Sequence, residues 1–175
     1  MNNSSIDNII LATAKVWVRD SSGNYKLGTA LLDSCSQVNF ITDEFSQKLR
    51  LSRSKQYIEI QGIVIGFELP LTFCITTHIA YQPDPEIDIS SWNIPGNTTL
   101  ADEEFHVPGK VDLLLGTETF SSLLSVVQIK LGTNLPILQK TLLGWVVSGR
   151  YQTTNNSIKP SCLLTANESL DARLE

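Results

Sequence analysis

A carboxylate and a hydroxyl follow directly on an apolar run in the first part of the chain. Leu31 and Leu32 precede Asp33 and Ser34. Because an apolar strand lies in the core and its end reaches the surface, this order presents both groups at an edge or a cleft. A carboxylate there can act in general acid–base catalysis. An Asp-Ser pair at a strand end also suits a turn that hydrogen-bonds its own backbone, so these four residues leave both interpretations open.

A second apolar run favours the catalytic interpretation. The segment from Leu113 to Gly116 has the pattern of a buried strand. A short helix is predicted directly after it, with Thr117 as its N-cap and Glu118 in its first turn. The two strand ends together favour the interpretation of Asp33 as a catalytic residue.

The cysteines and histidines form no recognisable metal or nucleophile pattern. No CxxC or HxxxH arrangement occurs among Cys35, Cys74, Cys162, His78 and His106, so their spacing predicts no zinc site and no cofactor. A nucleophilic cysteine needs a base beside it, and the sequence around Cys35 offers none. The odd, scattered cysteine count suits a reducing compartment.

The elements that would position these groups are mostly short strands. Residues 9–19 and 25–33 predict a hairpin, because alternating apolar residues flank the turn-forming segment 20–24. Thr42 is the expected N-cap of a short helix over residues 43–49. Further strands are predicted over 56–77, with a break at Gly66, and over 111–116, 125–132 and 141–150.

Many short strands with one or two short helices predict a mainly β fold. Residues 82–110 are rich in proline, glycine and polar side chains without clean periodicity, which is typical of a functional loop. From residue 151 onward the chain is rich in Asn, Ser and Thr. We therefore expect a flexible N-terminus over 1–8, one domain over 9–150, and a polar, loosely ordered tail over 151–175.

Several motifs and their order resemble one family. An apolar pair before Asp33 and Ser34, followed later by an apolar run that ends at Gly116 and by a helix, is the pattern of retropepsin-like aspartic peptidases. The runs DISSWNIP, FHVPGKVDLLLG and GWVVSGR resemble the peptidase segment of Bel/Pao LTR-retrotransposon polyproteins. That resemblance covers residues 9–150. Because a reverse transcriptase follows the peptidase in this family, we expect either a fragment of such an element or a stand-alone descendant.

The resemblance implies a retropepsin-like closed β-barrel, the acid protease fold, and an aspartic endopeptidase that processes its own polyprotein. Asp33 is the implied catalytic residue, and because the chain offers this motif once, the peptidase must be a homodimer. The two Asp33 carboxylates would share one proton and hold the attacking water. Ser34 would brace the two catalytic loops, and Ser36 would orient the carboxylate. Leu115 and Gly116 would support the loop from beneath.

The chain departs from the family pattern at two places. Cys35 stands where the family has glycine, and a side chain there is expected to crowd the substrate and the catalytic water, or to strain the loop by about 1–3 kcal/mol if the backbone dihedrals are unusual. The flap region between residues 62 and 77 is shorter than expected, and its remaining tip comprises Ile63, Val64, Ile65 and Gly66. These departures keep an alternative open, a catalytically inactive retropepsin-like remnant that acts as a dimerisation or binding module.

Composition and charge limit the kinds of binding partner that we expect. The chain of 175 residues has 13 Lys and Arg against 18 Asp and Glu, a net charge of −5, and no basic patch, so no direct nucleic-acid partner is expected. Acidic residues recur between Lys55 and Lys110 without any base, which favours a solvated acidic loop over a site for a cation or basic partner. Without a basic leader or an apolar run of about 18 residues, we expect no membrane contact and a cytoplasmic location.

Overall fold

The computed structural model describes residues 6–51, 57–62, 68–83 and 85–153. In this part the chain is mainly β with short helices, which confirms the predicted fold class. The elements in chain order are β1 (Ile6–Ile10), β2 (Thr13–Arg19), β3 (Tyr25–Leu32), β4 (Asn39–Thr42), α1 (Asp43–Lys48), β5 (Tyr57–Gly62), β6 (Glu68–Thr76), β7 (Ala80–Gln82), β8 (Gly109–Val111), β9 (Leu113–Leu115), α2 (Thr117–Leu123), β10 (Leu124–Lys130), β11 (Ile137–Thr141) and β12 (Gly144–Thr153).

Six strands close into a barrel, and a closed barrel is what the resemblance implies. Their order is β2-β3-β9-β4-β6-β5, and β5 pairs with β2 to complete the ring. β3 runs parallel to β9 and β4 runs parallel to β6, whereas β9 and β4 are antiparallel. Because β3 and β9 are parallel, their carboxyl ends meet at the same rim of the barrel. That rim carries both the Asp33 segment and Gly116.

The β2–β3 hairpin follows the predicted alternation. Ala14, Val16 and Val18 are fully buried in the barrel, while Trp17 between them is 39% exposed. The two strands pair antiparallel along their whole length, and residues 20–24 connect them. A period of two is what a strand with one face on the core requires.

The barrel interior is an apolar core to which most of its strands contribute. Its members include Val16, Leu32, Ile41, Phe45, Ile60, Phe73, Leu113 and Leu115. Gly28 makes room for the helix α1, because a Cβ on Gly28 would lie 2.7 Å from the Phe45 ring. Burial of each such aliphatic or aromatic side chain stabilises the fold by about 1.5–3 kcal/mol. The rim is therefore supported by a well-packed core.

A second sheet has the order β1-β12-β11-β10 and its own apolar cluster. The buried members of that cluster are Ile10, Ile87, Phe105, Leu138, Val147 and Tyr151. Trp92 from the long loop stacks on Phe105 with ring centroids 6.0 Å apart. The second sheet thus buries part of the loop 82–110.

This sheet corrects the predicted domain boundaries at both ends. Residues 6–8, expected in a flexible N-terminus, belong to β1 and pair with β12. Tyr151, expected in a loose tail, is buried, and β12 continues to Thr153. The two segments come from opposite ends of the described chain, so neither shows its pairing partner in its local sequence. The rest of the predicted tail, from residue 154, lies outside the described residues.

The loop 82–110 is joined to both sheets. Ala101 accepts a 2.7 Å hydrogen bond from the Lys15 amide of β2 and donates a 2.8 Å bond to the Trp145 carbonyl of β12. Next to it, the buried Asp102 carboxylate accepts a 2.8 Å hydrogen bond from the Thr13 hydroxyl. The predicted lack of regular structure holds between β7 and β8 in the described residues, apart from a single bridge at Leu100. The loop is therefore a structural connection between the barrel and the second sheet.

The helix α1 begins where the sequence predicted. Thr42 is its N-cap, and the Thr42 hydroxyl accepts a 3.3 Å hydrogen bond from the Phe45 amide. Asp43 and Glu44 occupy the first turn and Lys48 the last, which matches the helix dipole. Among the described residues, no helix is long and apolar enough to cross a membrane.

Candidate active site

Asp33 lies at the end of β3, where the barrel wall becomes a loop. Leu32 is opposite Leu115 in the parallel β3–β9 pair. The Asp33 amide donates a 2.9 Å hydrogen bond to the Leu115 carbonyl. Leu32 and Leu115 are buried, whereas Asp33 is half-buried. The strand end therefore fixes the Asp33 backbone while the residue remains partly exposed.

The Asp33 carboxylate is oriented by the backbone of its own loop. Its Oδ1 accepts from the Cys35 amide at 3.1 Å, and its Oδ2 accepts from the Ser36 amide at 3.0 Å. Ser36 thus contacts the carboxylate through its backbone. Bonds to both oxygens restrict rotation of the carboxylate and leave lone pairs for another partner. The turn interpretation and the catalytic interpretation of Asp33 are therefore compatible. A turn that hydrogen-bonds its own aspartate also sets the direction of that side chain.

Gly116 lets the segment after β9 pass against the Asp33 loop. A Cβ on Gly116 would lie 2.6 Å from the Val38 carbonyl oxygen and 2.7 Å from the Ser36 carbonyl oxygen. Side chains do not fit at such distances from backbone atoms unless the backbone moves. The loop and the β9 end are therefore in direct backbone contact at the place where the resemblance expects support from Leu115 and Gly116.

Thr117 bonds the loop instead of capping α2. The predicted N-cap role is wrong, because the N-cap residue is Gly116. The Thr117 amide donates to the Ser36 carbonyl at 2.8 Å, and its hydroxyl donates to the Ser34 carbonyl at 2.5 Å. The helix already includes Thr117 as its first residue, and the Thr117 hydroxyl acts as a donor to a distant segment. Sequence spacing alone does not show this acceptor.

Asn39 is a site residue that the sequence did not indicate. Its side-chain Oδ1 accepts from the Gly116 amide at 2.8 Å and from the Thr119 hydroxyl at 3.0 Å. Its Nδ2 donates to the Thr72 carbonyl of β6 at 3.2 Å. The available signal was a polar residue directly before the apolar pair Phe40 and Ile41 in β4.

The backbone strain that was expected at Cys35 is not observed. Within the described residues, a side chain combined with a positive φ occurs at Arg50 and Asn134, and Cys35 is not among these. The loop therefore tolerates a Cβ at position 35 without an unfavourable backbone conformation. The side chains of Ser34 and Cys35 are exposed, with Oγ and Sγ 3.9 Å apart. Any effect of Cys35 must come from its thiol projecting at the surface beside Asp33.

The candidate flap tip, Ile63, Val64, Ile65 and Gly66, lies outside the described residues. The strands on either side of it, β5 and β6, pair antiparallel from Gln61 and Glu68 outward. They satisfy the predicted pair of strands over residues 56–77.

The histidines and cysteines form no metal centre in the described part of the chain, where no group of three or more His, Cys, Asp or Glu side chains is suitably placed. Cys35 and Cys74 are exposed free thiols. His106 packs edge-on against Phe105, and its buried Nδ1 has no hydrogen-bond partner.

A charged cluster joins α1 to the neighbouring strands. Lys48 and Lys110 contact the Glu44 carboxylate at 2.8 and 2.9 Å and lower the pKa of Glu44 from 4.5 to about 2. Burial raises the pKa of Asp112, although its carboxylate accepts a 3.0 Å hydrogen bond from the Thr29 amide. These charges already have partners, so the cluster is structural.

Comparisons with known proteins do not assign this site to a family. A scan of protein-family models and a search of curated proteins found no match to the chain. The function must therefore be inferred from the motifs and from the contacts around Asp33.

Proposed function

We propose that the chain is a retropepsin-like aspartic endopeptidase domain of the Bel/Pao retrotransposon type, which hydrolyses peptide bonds in a polyprotein. One observation carries the proposal. Asp33 is half-buried at the rim of a closed barrel, and its carboxylate is held by the amides of Cys35 and Ser36. Backbone bonds from Asp33 to Leu115 and from Thr117 to Ser36 hold the same loop against the end of β9.

The reaction needs a second carboxylate, and a second copy of the chain supplies it. The sequence has one apolar-apolar-Asp-Ser motif. A two-fold axis beside the loop brings Asp33 of each subunit together. The exposed Ser34 hydroxyl is available to brace the two loops across this axis. Half an active site on one chain is thus completed by an identical half.

The dyad performs hydrolysis by dividing two roles between two identical groups. Carboxylates at hydrogen-bond distance do not both ionise, so the pair holds one proton. The ionised carboxylate takes a proton from the bound water, which attacks the peptide carbonyl carbon. The protonated carboxylate donates to the carbonyl oxygen, and return of a proton to the leaving nitrogen completes cleavage.

A second candidate function is favoured by Cys35. A thiol occupies the place of the family's glycine and is exposed beside Asp33. If it fills the position of the substrate or the catalytic water, the fold persists as an inactive dimerisation or binding module. The free, exposed Cys35 and Cys74 suit a reducing compartment such as the cytoplasm in either case.

A peptidase assay with three proteins separates the two functions. Wild type, Asp33→Asn and Cys35→Gly are incubated at about pH 5 with a peptide library. Cleavage by wild type that a statine-type inhibitor blocks and Asp33→Asn abolishes supports the peptidase. Cleavage by Cys35→Gly alone supports the inactive module, and silence of all three contradicts the peptidase.

Sedimentation tests the dimer separately. A two-fold site requires dimers at the protein concentration of the assay, in wild type and in Asp33→Asn alike. A strict monomer in both proteins would contradict the shared site, whatever the assay shows.

A further inference from the structure

The side chain of Asn39 occupies a position between the Asp33 loop, α2 and β6. It makes three hydrogen bonds, from the Gly116 amide, from the Thr119 hydroxyl and to the Thr72 carbonyl. Asn39 is half-buried, so solvent replaces these partners only in part. The side-chain amide of Asn39 in β4 thus bonds α2, at its N-cap and its first turn, and β6, and so fixes their relative positions.

The bond to Gly116 matters most because of what flanks Gly116. The preceding carbonyl, of Leu115, accepts from the Asp33 amide, and the following amide, of Thr117, donates to the Ser36 carbonyl. The two ends of the Asp33–Ser36 turn are therefore bonded to the two neighbours of one residue. Asn39 holds the residue in the middle.

Gly116 has no side chain with which to hold itself in place. Its close approach to the Ser36 and Val38 carbonyls excludes a Cβ, and its carbonyl already accepts a 2.8 Å hydrogen bond from the Phe120 amide, so its amide is the group left for a side chain to anchor. Asn39 is adjacent in sequence to Val38 and thus lies within reach of that amide.

We propose that Asn39 is a positioning residue, which sets the orientation of the Asp33 carboxylate by anchoring the Gly116 amide. The proposal rests on the proposed function for its catalytic consequence. The chain of contacts runs from Asn39 Oδ1 to Gly116, from its neighbours to the Asp33 turn, and through the Cys35 and Ser36 amides to the carboxylate. Asn39 does not touch the substrate in this arrangement.

Two near-isosteric variants isolate the acceptor. Asn39→Leu removes the oxygen that accepts from Gly116, whereas Asn39→Asp keeps that oxygen, loses the donor to the Thr72 carbonyl and adds a negative charge. Loss of one such bond raises the population of the opened loop about tenfold. The Asp33 and Gly116 amides of Asn39→Leu should therefore exchange hydrogen about tenfold faster than in wild type. Asn39→Asp should accelerate this exchange less than Asn39→Leu does, because its carboxylate still accepts from the Gly116 amide. Asn97→Leu, on an exposed loop residue, controls for the added apolar side chain.

Activity gives the second measurement. If the peptidase functions, Asn39→Leu should lower kcat by about tenfold or more with KM within about twofold, and Asn39→Asp should recover most of kcat. A purely structural role would lower the melting temperature of both variants without this difference between kcat and KM.

The two readouts keep the two proposals apart. Silence of wild type and Cys35→Gly in the peptidase assay contradicts the proposed function but leaves amide exchange to decide on Asn39. Equal exchange at Asp33 and Gly116 in wild type and Asn39→Leu overturns the positioning role. Equal acceleration in Asn39→Leu and Asn39→Asp overturns it too, because the retained acceptor would then have no effect.

Discussion

At the scale of single residues, close backbone contact rather than charge determines the site. The Asp33 carboxylate is held by two amides, and the loop that supplies them rests on Gly116. Backbone donors lose no side-chain entropy when they bind, so they hold a carboxylate more rigidly than flexible side chains do. The precision of the site thus depends on whether the chain can approach itself closely at Gly116.

Gly116→Ala should therefore destabilise the protein by about 1–3 kcal/mol, the usual range for an added group in a filled space. Its Cβ would meet the Val38 and Ser36 carbonyl oxygens at 2.6 and 2.7 Å. Gly96→Ala is the matched control, because a Cβ at Gly96 meets nothing within 4 Å. Denaturant unfolding measures both variants, and equal free energies of unfolding would contradict the close contact.

At the scale of elements, the helix α1 combines predictable local signals with a contact from a distant strand. Thr42 caps the helix, and a Lys48–Glu44 pair spans one turn. Lys110, next to Val111 in β8, adds a second cation to Glu44. The first two features are local, whereas the third depends on how β8 packs beside α1.

The N-cap predicts a stability difference. Thr42→Ala removes the acceptor for the Phe45 amide and should cost about 1 kcal/mol, typical of a lost cap. Thr42→Ser retains a hydroxyl and should recover most of that loss. Urea unfolding compares the two, and a serine variant as unstable as the alanine variant would show that the methyl group, not the cap, matters.

Glu44 predicts a pH dependence. Its pKa is lowered from 4.5 to about 2 by the hydrogen bonds and charges of Lys48 and Lys110, so its ion pairs stabilise the fold above pH 4.5 and lose that effect as the pH falls towards 2. Lys110→Gln should raise the pKa of Glu44 towards its ordinary value. NMR titration of the side-chain carboxyl measures this directly. An unchanged midpoint in Lys110→Gln would mean that Lys110 does not contact Glu44.

At the scale of the whole molecule, the loop 82–110 joins two sheets that have separate apolar cores. Ala101 bonds β2 and β12, and the buried Asp102 accepts from Thr13. Lys15 lies 4.0 Å from Asp102 and 3.1 Å from Glu104. These contacts make the loop part of the fold and couple the barrel to the second sheet.

Coupling of the sheets predicts the effect of Asp102→Ala. Removal of this buried acceptor leaves the Thr13 hydroxyl unpaired and should cost about 1–3 kcal/mol. Glu103→Ala, at the exposed neighbouring position, should change stability by less than about 0.5 kcal/mol. Thermal unfolding followed by circular dichroism measures both, and equal melting temperatures would argue against a joining role for Asp102.

Much of the barrel was predictable because its signals are local. Alternating burial in β2 and β3, the Thr42 cap and the apolar run of β9 each reflect residues a few positions apart. β11 was not predicted as a separate strand, because its sequence ILQKT is short and lies between two turns. The pairing of β1 with β12 was missed too, since it joins distant segments.

The sequence by itself determined that the fold is mainly β and that Asp33 stands at the end of a buried strand, because burial patterns and turn chemistry act over a few residues. Only the tertiary structure decided what surrounds Asp33. The anchor at Asn39 and the Thr117 hydroxyl bond to Ser34 join segments far apart in the chain. Such contacts arise when parallel pairing of β3 and β9 brings two strand ends to one rim, and nothing in the spacing of the residues encodes that meeting directly.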